Sequence, residues 1–186
     1  RAFKLSDNRP FWPRSVEPET WVFGGEYPMV FWLEANGYDV TYFTNTDTDR
    51  FGSLLLNHKM FMSNGHDEYW SAAQRANVEA ARDAGVHLAF FSGNDVFWKI
   101  RWEPSTDPSR TPYRTLVTYK ETHYDTNVDP QDPPTWTGTW MDPRFSPPGD
   151  GGNPQTALTG QLFDVNSGPP DITVPSLSRK LRFWRH

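Results

Sequence analysis

The chain is 186 residues long, 36% hydrophobic and 16% aromatic, with a formal net charge of −5 and no cysteine. That length supports one domain with its own core, and the missing cysteine excludes disulfides, thiolate metal sites and a thiol nucleophile. No basic block offers a phosphate-binding surface for nucleic acid, and apolar runs as short as Met60–Met62 and Leu88–Phe91 cannot span a bilayer.

Residues 1–25 carry Pro10, Pro13, Pro18 and the Gly24-Gly25 pair, and read as a looped lead-in. Pro28 suits a first helical turn, where its missing N–H is not needed. Met29, Val30 and Leu33 supply an apolar face and Gly37 a stop, so a helix is expected from Pro28 to Asn36. Asp39–Phe43 has the β-branched and aromatic bias of a strand, and polar Thr44–Arg50 reads as the loop after it. Within that loop Thr46–Asp49 could offer oxygens to a cation but lacks the further ligands of a calcium loop; a solvated loop is the better reading.

Lys59–Ser63 is a continuous apolar run of the kind buried on both faces in parallel sheets, and Gly65–Trp70 follows as a loop. Ser71 with Gln74 three residues on has the form of a capping box, and alanine-rich sequence carries the helix to Gly85. Val86–Phe91 is the next buried strand, closed by Ser92–Asp95. Residues 28–95 thus alternate helix and strand as in a doubly wound, mainly parallel α/β sheet. In such sheets ligands sit at the carboxyl ends of the strands, which brings Thr44–Arg50, Asn64–Trp70 and Ser92–Asp95 together.

The second half is poorer in regular pattern. Thr115–Lys120 alternates like an exposed strand, Pro130–Pro154 is rich in proline and glycine around Trp136 and Trp140, and Ala157–Val165 and Leu181–Trp184 read as short strands. The expected organisation is a single domain over 1–186, with an α/β core at 1–110 and a loop- and β-rich extension at 111–186. The chain opens on Arg1 rather than Met and stops at the start of a strand, so it reads as an internal piece of a longer protein. Neither the cytoplasm nor secretion is singled out.

Gly65-His66-Asp67-Glu68-Tyr69-Trp70 is the densest chemical cluster, with an imidazole, two carboxyls and a phenol in consecutive positions. All four groups serve as general acids or bases and as hard metal ligands. His66 and Glu68 are two apart, so in extended chain both point the same way. The plainer reading gives Asp67 and Glu68 to the helix N-terminus and His66 to a turn; the converging loops favour function. Asn94 can orient a carbonyl or fill an oxyanion site, or it can simply form an Asx turn or helix cap. Glu121 and His123 sit at a strand end with no further pattern, and His58, His87 and His186 show no partner. No G-x-S-x-G elbow, G-x-G-x-x-G or P-loop occurs, which argues against a common serine esterase and against dinucleotide or nucleoside triphosphate binding.

Glu26–Val30 with Trp32-Leu33-Glu34, Gly37–Val40, Gly65–Ser71 and Ala89–Asn94 together resemble the C-terminal region of the N,N-dimethylformamidase large (beta) subunit family. Arg9-Pro10 and Ala157–Gly160 extend the likeness over nearly the whole chain. The resemblance implies a fold like that of class I glutamine amidotransferases. It also implies hydrolysis of a small amide assisted by a mononuclear iron held by two tyrosines and a glutamate. Carried over, the glutamate is Glu68 as metal ligand, with His66 and Asn94 as catalytic neighbours. One tyrosine would precede Arg1, and the other would fall after Arg9-Pro10, where this chain has Phe11. Tyr27 and Tyr69 are the candidates to replace it.

Three readings follow. The first is an amidohydrolase in which His66 shuttles protons, Asn94 orients substrate and a cation on Glu68 polarises the carbonyl. The second is a non-catalytic module for carbohydrate or another ligand, stacking it on tryptophans among positions 12, 21, 32, 70, 98, 102, 136 and 140. The third keeps the amidotransferase-like shape without the chemistry. A small amide or a carbohydrate is the expected ligand, and a homo-oligomer or a second subunit the expected assembly.

Overall fold

The computed structural model describes residues 2–9, 22–120, 128–131, 136–142, 153–162 and 175–182. The architecture is mixed α/β. A π-helical turn at Val22–Glu26 runs into helix α1 (Tyr27–Ala35), with Pro28 in its first turn and Asn36 at its C-terminal cap. The expected strand at Asp39–Phe43 pairs with no strand among the described residues and is irregular; Tyr42 instead donates to Glu34 at 2.6 Å.

The next departure has a clear local cause. Thr44–Arg50, expected as loop, enters helix α2 (Asn45–Phe51). Thr44 Oγ1 accepts from the Asp47 backbone N–H at 3.1 Å and the Asp47 carboxylate accepts from the Thr44 N–H at 3.2 Å. The reciprocal cap satisfies the helix's orphan donors, so a string of loop-forming residues becomes helical. Thr48, in the stretch considered for a cation, is buried against the core.

After a 3₁₀ turn at Gly52–Asn57 comes strand β2 (Met60–His66), then β3 (Tyr69–Ser71) and helix α3 (Ala72–Asp83). Ser71 caps α3 as expected, accepting from the Gln74 N–H at 3.0 Å. Strand β4 (His87–Gly93) follows, then β5 (Trp98–Glu103) and β6 (Thr115–Val117), with β1 (Lys4–Ser6) at the start of the chain and β7 (Gly138–Thr139) after β6. Ala157–Thr159 lies in a short helix α4 (Thr156–Thr159) rather than the expected strand, ended by left-handed Gly160. Ser176–Lys180 forms a 3₁₀ turn ahead of Leu181 and Arg182, and the rest of the strand expected there lies outside the described residues.

Two sheets are present among the described residues. Strands β2 and β4 pair in parallel, while β3 and β5 pair in parallel within a sheet that adds β1, β6 and β7 antiparallel. The same two chain segments supply both parallel pairs, but the register changes between them. Met60 opposes His87 and His66 opposes Gly93, whereas Tyr69 opposes Trp98. Two additional residues are therefore accommodated on the second segment between Gly93 and Trp98. They are taken up where Asn94 (φ 57°) and Val96 (φ 53°) adopt left-handed backbone. A β-branched residue there costs on the order of 1–3 kcal/mol. Val96 is held by a fully buried side chain and by its N–H, which donates to the Asp67 carbonyl at 3.0 Å.

The core lies between α3 and the strands. Trp70, Val78, Ala81, Val86, Val96, Trp140, Leu55 and Leu158 are buried, with Phe43, Phe61, Leu88 and Phe90 packed on them. Asn77 of α3 reaches α2, where its amide donates to the Thr48 and Asp49 carbonyls at 2.8 and 3.0 Å. Asn77→Ala leaves two carbonyls without these donors and is expected to cost about 1–2 kcal/mol, read as a lowered denaturant midpoint at unchanged slope. No helix among the described residues is long and apolar enough to cross a membrane.

Candidate functional site

The carboxyl ends of β2 and β4 carry the chemistry. His66 is the last residue of β2 and stands opposite Gly93, the last of β4. Its imidazole lies over that glycine: a Cβ added to Gly93 would come within 3.2 Å of Nε2. The backbone then runs through Asp67 and Glu68 into β3. Glu68 is anchored by its carbonyl, which accepts from the Trp98 N–H at 2.7 Å. Its Oε1 stands 3.9 Å from His66 Nδ1, an ion-pair distance longer than a hydrogen bond. His66 is about half exposed and Glu68 half-buried.

Gly65 permits the approach. It has φ +86°, and a Cβ there would lie 2.6 Å from Glu26 Cγ. The lead-in to α1 thus rests directly on the end of β2, and Asn64 Nδ2 secures it by donating to the Glu26 carbonyl at 2.9 Å.

Asn94 follows Gly93 in left-handed backbone and is partly buried, with no side-chain hydrogen bond among the described residues. His66 and Glu68 are thus brought together, and Asn94 is the residue after the glycine under the imidazole.

Beneath this surface lies a polar cluster that the sequence reading did not single out. Asp67 is its hub. Its Oδ1 accepts from Asn45 Nδ2 of α2 at 2.9 Å and its Oδ2 from Ser63 Oγ of β2 at 2.7 Å. Ser63 Oγ lies 2.9 Å from Ser92 Oγ of β4, and Ser92 in turn contacts Asp95 Oδ1. Gln161, after α4, donates to Asp95 Oδ2 at 3.0 Å. Burial raises the proton affinity of Asp67, opposed by its hydrogen bonds from Asn45 and Ser63. Burial also pushes Asp95 up to about 6; the bond from Ser92 opposes this, the charge of Asp67 adds to it, and His66 opposes it. Glu26 is raised as well, first by burial and then by the nearby charge of Asp67. The one clue in the sequence is the hydroxyl of Ser63 directly after the apolar Met60–Met62.

The iron implied by the family likeness can be set against these residues. Among them no three His, Asp or Glu side chains are grouped to hold a metal ion. Tyr69 accepts from Lys120 Nζ at 2.5 Å, Tyr27 packs its ring on Phe23 and Phe31, and position 11 lies outside the described residues. The described residues do not by themselves assemble the two-tyrosine, one-glutamate set.

A separate cavity of about 440 Å³ lies between α3 and β5, lined in part by Arg75, Lys99, Trp102, Tyr113 and Trp140. His66, Glu68 and Asn94 do not line it. Arg75 is engaged there, with Nε donating to Glu79 at 2.8 Å and Nη2 to Asn153 Oδ1 at 2.6 Å.

A protein-family model described as N,N-dimethylformamidase beta subunit-like, C-terminal, matches residues 1–186. No curated protein matches the chain.

Proposed function

Because the chain belongs to the N,N-dimethylformamidase beta subunit-like, C-terminal family, we propose that it takes part in hydrolysis of a small amide C–N bond. The observation that carries this reading is the His66–Glu68 pair at 3.9 Å, at the carboxyl end of a parallel strand pair. His66 takes a proton from the attacking water and returns it to the departing nitrogen, leaving a carboxylic acid and an amine. Glu68 stabilises the positive charge that passes through the imidazole. Asn94, uncommitted among the described residues, donates its amide N–H to the substrate carbonyl. In the same reading the core at 1–110 and the extension at 111–186 form one domain of glutamine amidotransferase-like, doubly wound type. Glu68 would be one ligand of an iron, with the remaining donors coming from outside the described residues.

The test is amide turnover by the full-length protein beside its Glu68→Ala variant. Turnover that falls sharply in the variant is expected; undiminished turnover sinks the reading.

An exposed stack of Trp32 on Tyr38, with ring centroids 5.5 Å apart, favours the second reading, a module that binds a carbohydrate or another ligand without catalysis. Trp70 and Trp140 are buried and cannot serve as its stacking faces. Glycan binding that is lost in Trp32→Ala and kept in Glu68→Ala would replace hydrolysis with this reading. A second subunit, in keeping with the family's description, or another copy of the chain would cover the exposed Phe23, Phe31 and Trp32.

A further inference from the structure

A surface helix ordinarily turns its apolar side chains to the core and its charged ones to water. Helix α1 departs from this. Its half-buried side, Met29, Val30 and Leu33, is apolar, and no residue of the helix is buried. Its exposed side, Tyr27, Pro28, Phe31, Trp32 and Ala35, is apolar too, with Glu34 the one charged residue on it. Phe23, Tyr27, Phe31, Trp32, Tyr38 and Tyr42 each leave half or more of their surface in solvent. Singly exposed rings are ordinary, but these are neighbours: Tyr27 meets Phe23 and Phe31, and Trp32 stacks on Tyr38. At roughly 200 Å² per aromatic side chain they offer about 600 Å², against the roughly 800 Å² that each partner gives to a standard interface.

We infer that α1 is a self-association face, on which two copies of the chain pack ring against ring about a two-fold axis. Phe23, Tyr27 and Phe31 follow one another at intervals of four and form a ridge, with centroids 6.4 and 6.2 Å apart. A ridge of that spacing fits the groove beside another of the same spacing, with the helix axes inclined by about 50°, and a copy of the chain supplies one. Tyr27 is the middle of the row. An axis beside it lays each Tyr27 against its image and Phe23 beside the copy's Phe31, the self-complementary contact of a two-fold dimer. Charge favours the same occupant. The chain carries a net −5, so most of its faces repel their own image. On this face the one charge, Glu34, is held by Tyr42 and lies past the end of the row, which keeps the two carboxylates apart. A partner chosen by opposite charge would find little here to recognise. Self-association at α1 is independent of amide hydrolysis, since His66, Glu68 and Asn94 do not belong to the face.

Sedimentation velocity of the full-length protein tests this. Wild type is expected to pass from monomer to dimer as its concentration rises through the micromolar range. Phe31→Asp puts a charge into the row and should weaken the dimer by at least about 30-fold, the loss of one strong contact. Its unfolding midpoint should stay at the wild-type value, because Phe31 is 61% exposed. Leu177→Asp, at a residue 92% exposed and outside the face, should leave the dimer as it is. A wild type that stays monomeric, or a dimer indifferent to Phe31→Asp, overturns the inference.

Tyr27→Cys gives a second readout that does not depend on losing anything. Under mild oxidation of the full-length protein, mass spectrometry should find two copies of the same peptide linked by a disulfide through position 27, because the axis passes beside it. A dimer without that link overturns the inference. Three other occupants leave their own marks, each of which also overturns it. A thiol at position 27 that a maleimide cannot reach in a monomer means that another part of the same polypeptide covers α1. Binding to a different subunit by an otherwise monomeric wild type, abolished in Phe31→Asp, gives the face to that subunit. A glycan that shields the thiol in a monomer gives it to a sugar.

Discussion

Trp70→Ala is expected to cost about 3–5 kcal/mol, a large share of the roughly 5–15 kcal/mol that holds a domain of ordinary stability. The indole has no solvent exposure and stands at the junction of β3 and the core. Phe61 meets it edge-on with centroids 6.1 Å apart, and Phe90 packs on it at 6.4 Å. These rings come from the two parallel strands β2 and β4, so truncating the tryptophan opens a void that neither strand can close without leaving its partner. Trp70→Phe keeps an aromatic body in the gap and should lose clearly less. Denaturant midpoints of the two variants check this. A loss below about 1 kcal/mol in the alanine variant would mean that the core collapses around the missing ring.

His66→Ala, by contrast, should leave stability nearly untouched and lower amide turnover by about 10²–10⁴-fold. The imidazole is half exposed and takes no part in the buried cluster's hydrogen bonds, so little packing goes with it. What goes is the group that carries the proton from water to the departing amine. Turnover by the full-length protein, measured beside an unchanged unfolding midpoint, separates the two effects. Full activity in the alanine variant would remove His66 from the reaction.

Those contrasting expectations reflect which parts of the molecule local sequence controls. Lys59–Ser63, the alanine-rich helix and Val86–Phe91 are legible as elements from apolar runs and helical periodicity, although Met60 and Phe91, in strands expected to be buried, are exposed. The N-cap at Ser71 was legible from a three-residue spacing. Asp39–Phe43 has strand-forming residues, yet it pairs with no strand among the described residues, so propensity alone does not make a strand. Thr44–Arg50 has loop-forming residues, but one cap makes it helical. Ala157–Thr159 has the composition of either element, and left-handed Gly160 closes it as a helical turn.

The same division runs through the site. His66 and Glu68 meet because extended chain puts every second residue on one side, which a sequence displays. The row from Asp67 to Asp95 joins residues from β2 and β4 that are 29 positions apart at its centre. Their meeting depends on a strand register that no local pattern encodes. Ser63 closes the apolar run Lys59–Ser63, and its hydroxyl meets Asp67 four residues on and Ser92 on the neighbouring strand.

The changed register between the two parallel pairs has a further consequence. The chain segments from Met60 to Ser71 and from His87 to Glu103 behave like a pair of rails joined by a set of points, with Asn94–Val96 as the slack that lets one rail lag the other. Shortening that slack would pull Trp98 out of step with Tyr69 and shift every rung beyond it. Loop length at this one place is therefore constrained by both strand pairs, and the acid at position 95 is carried on it.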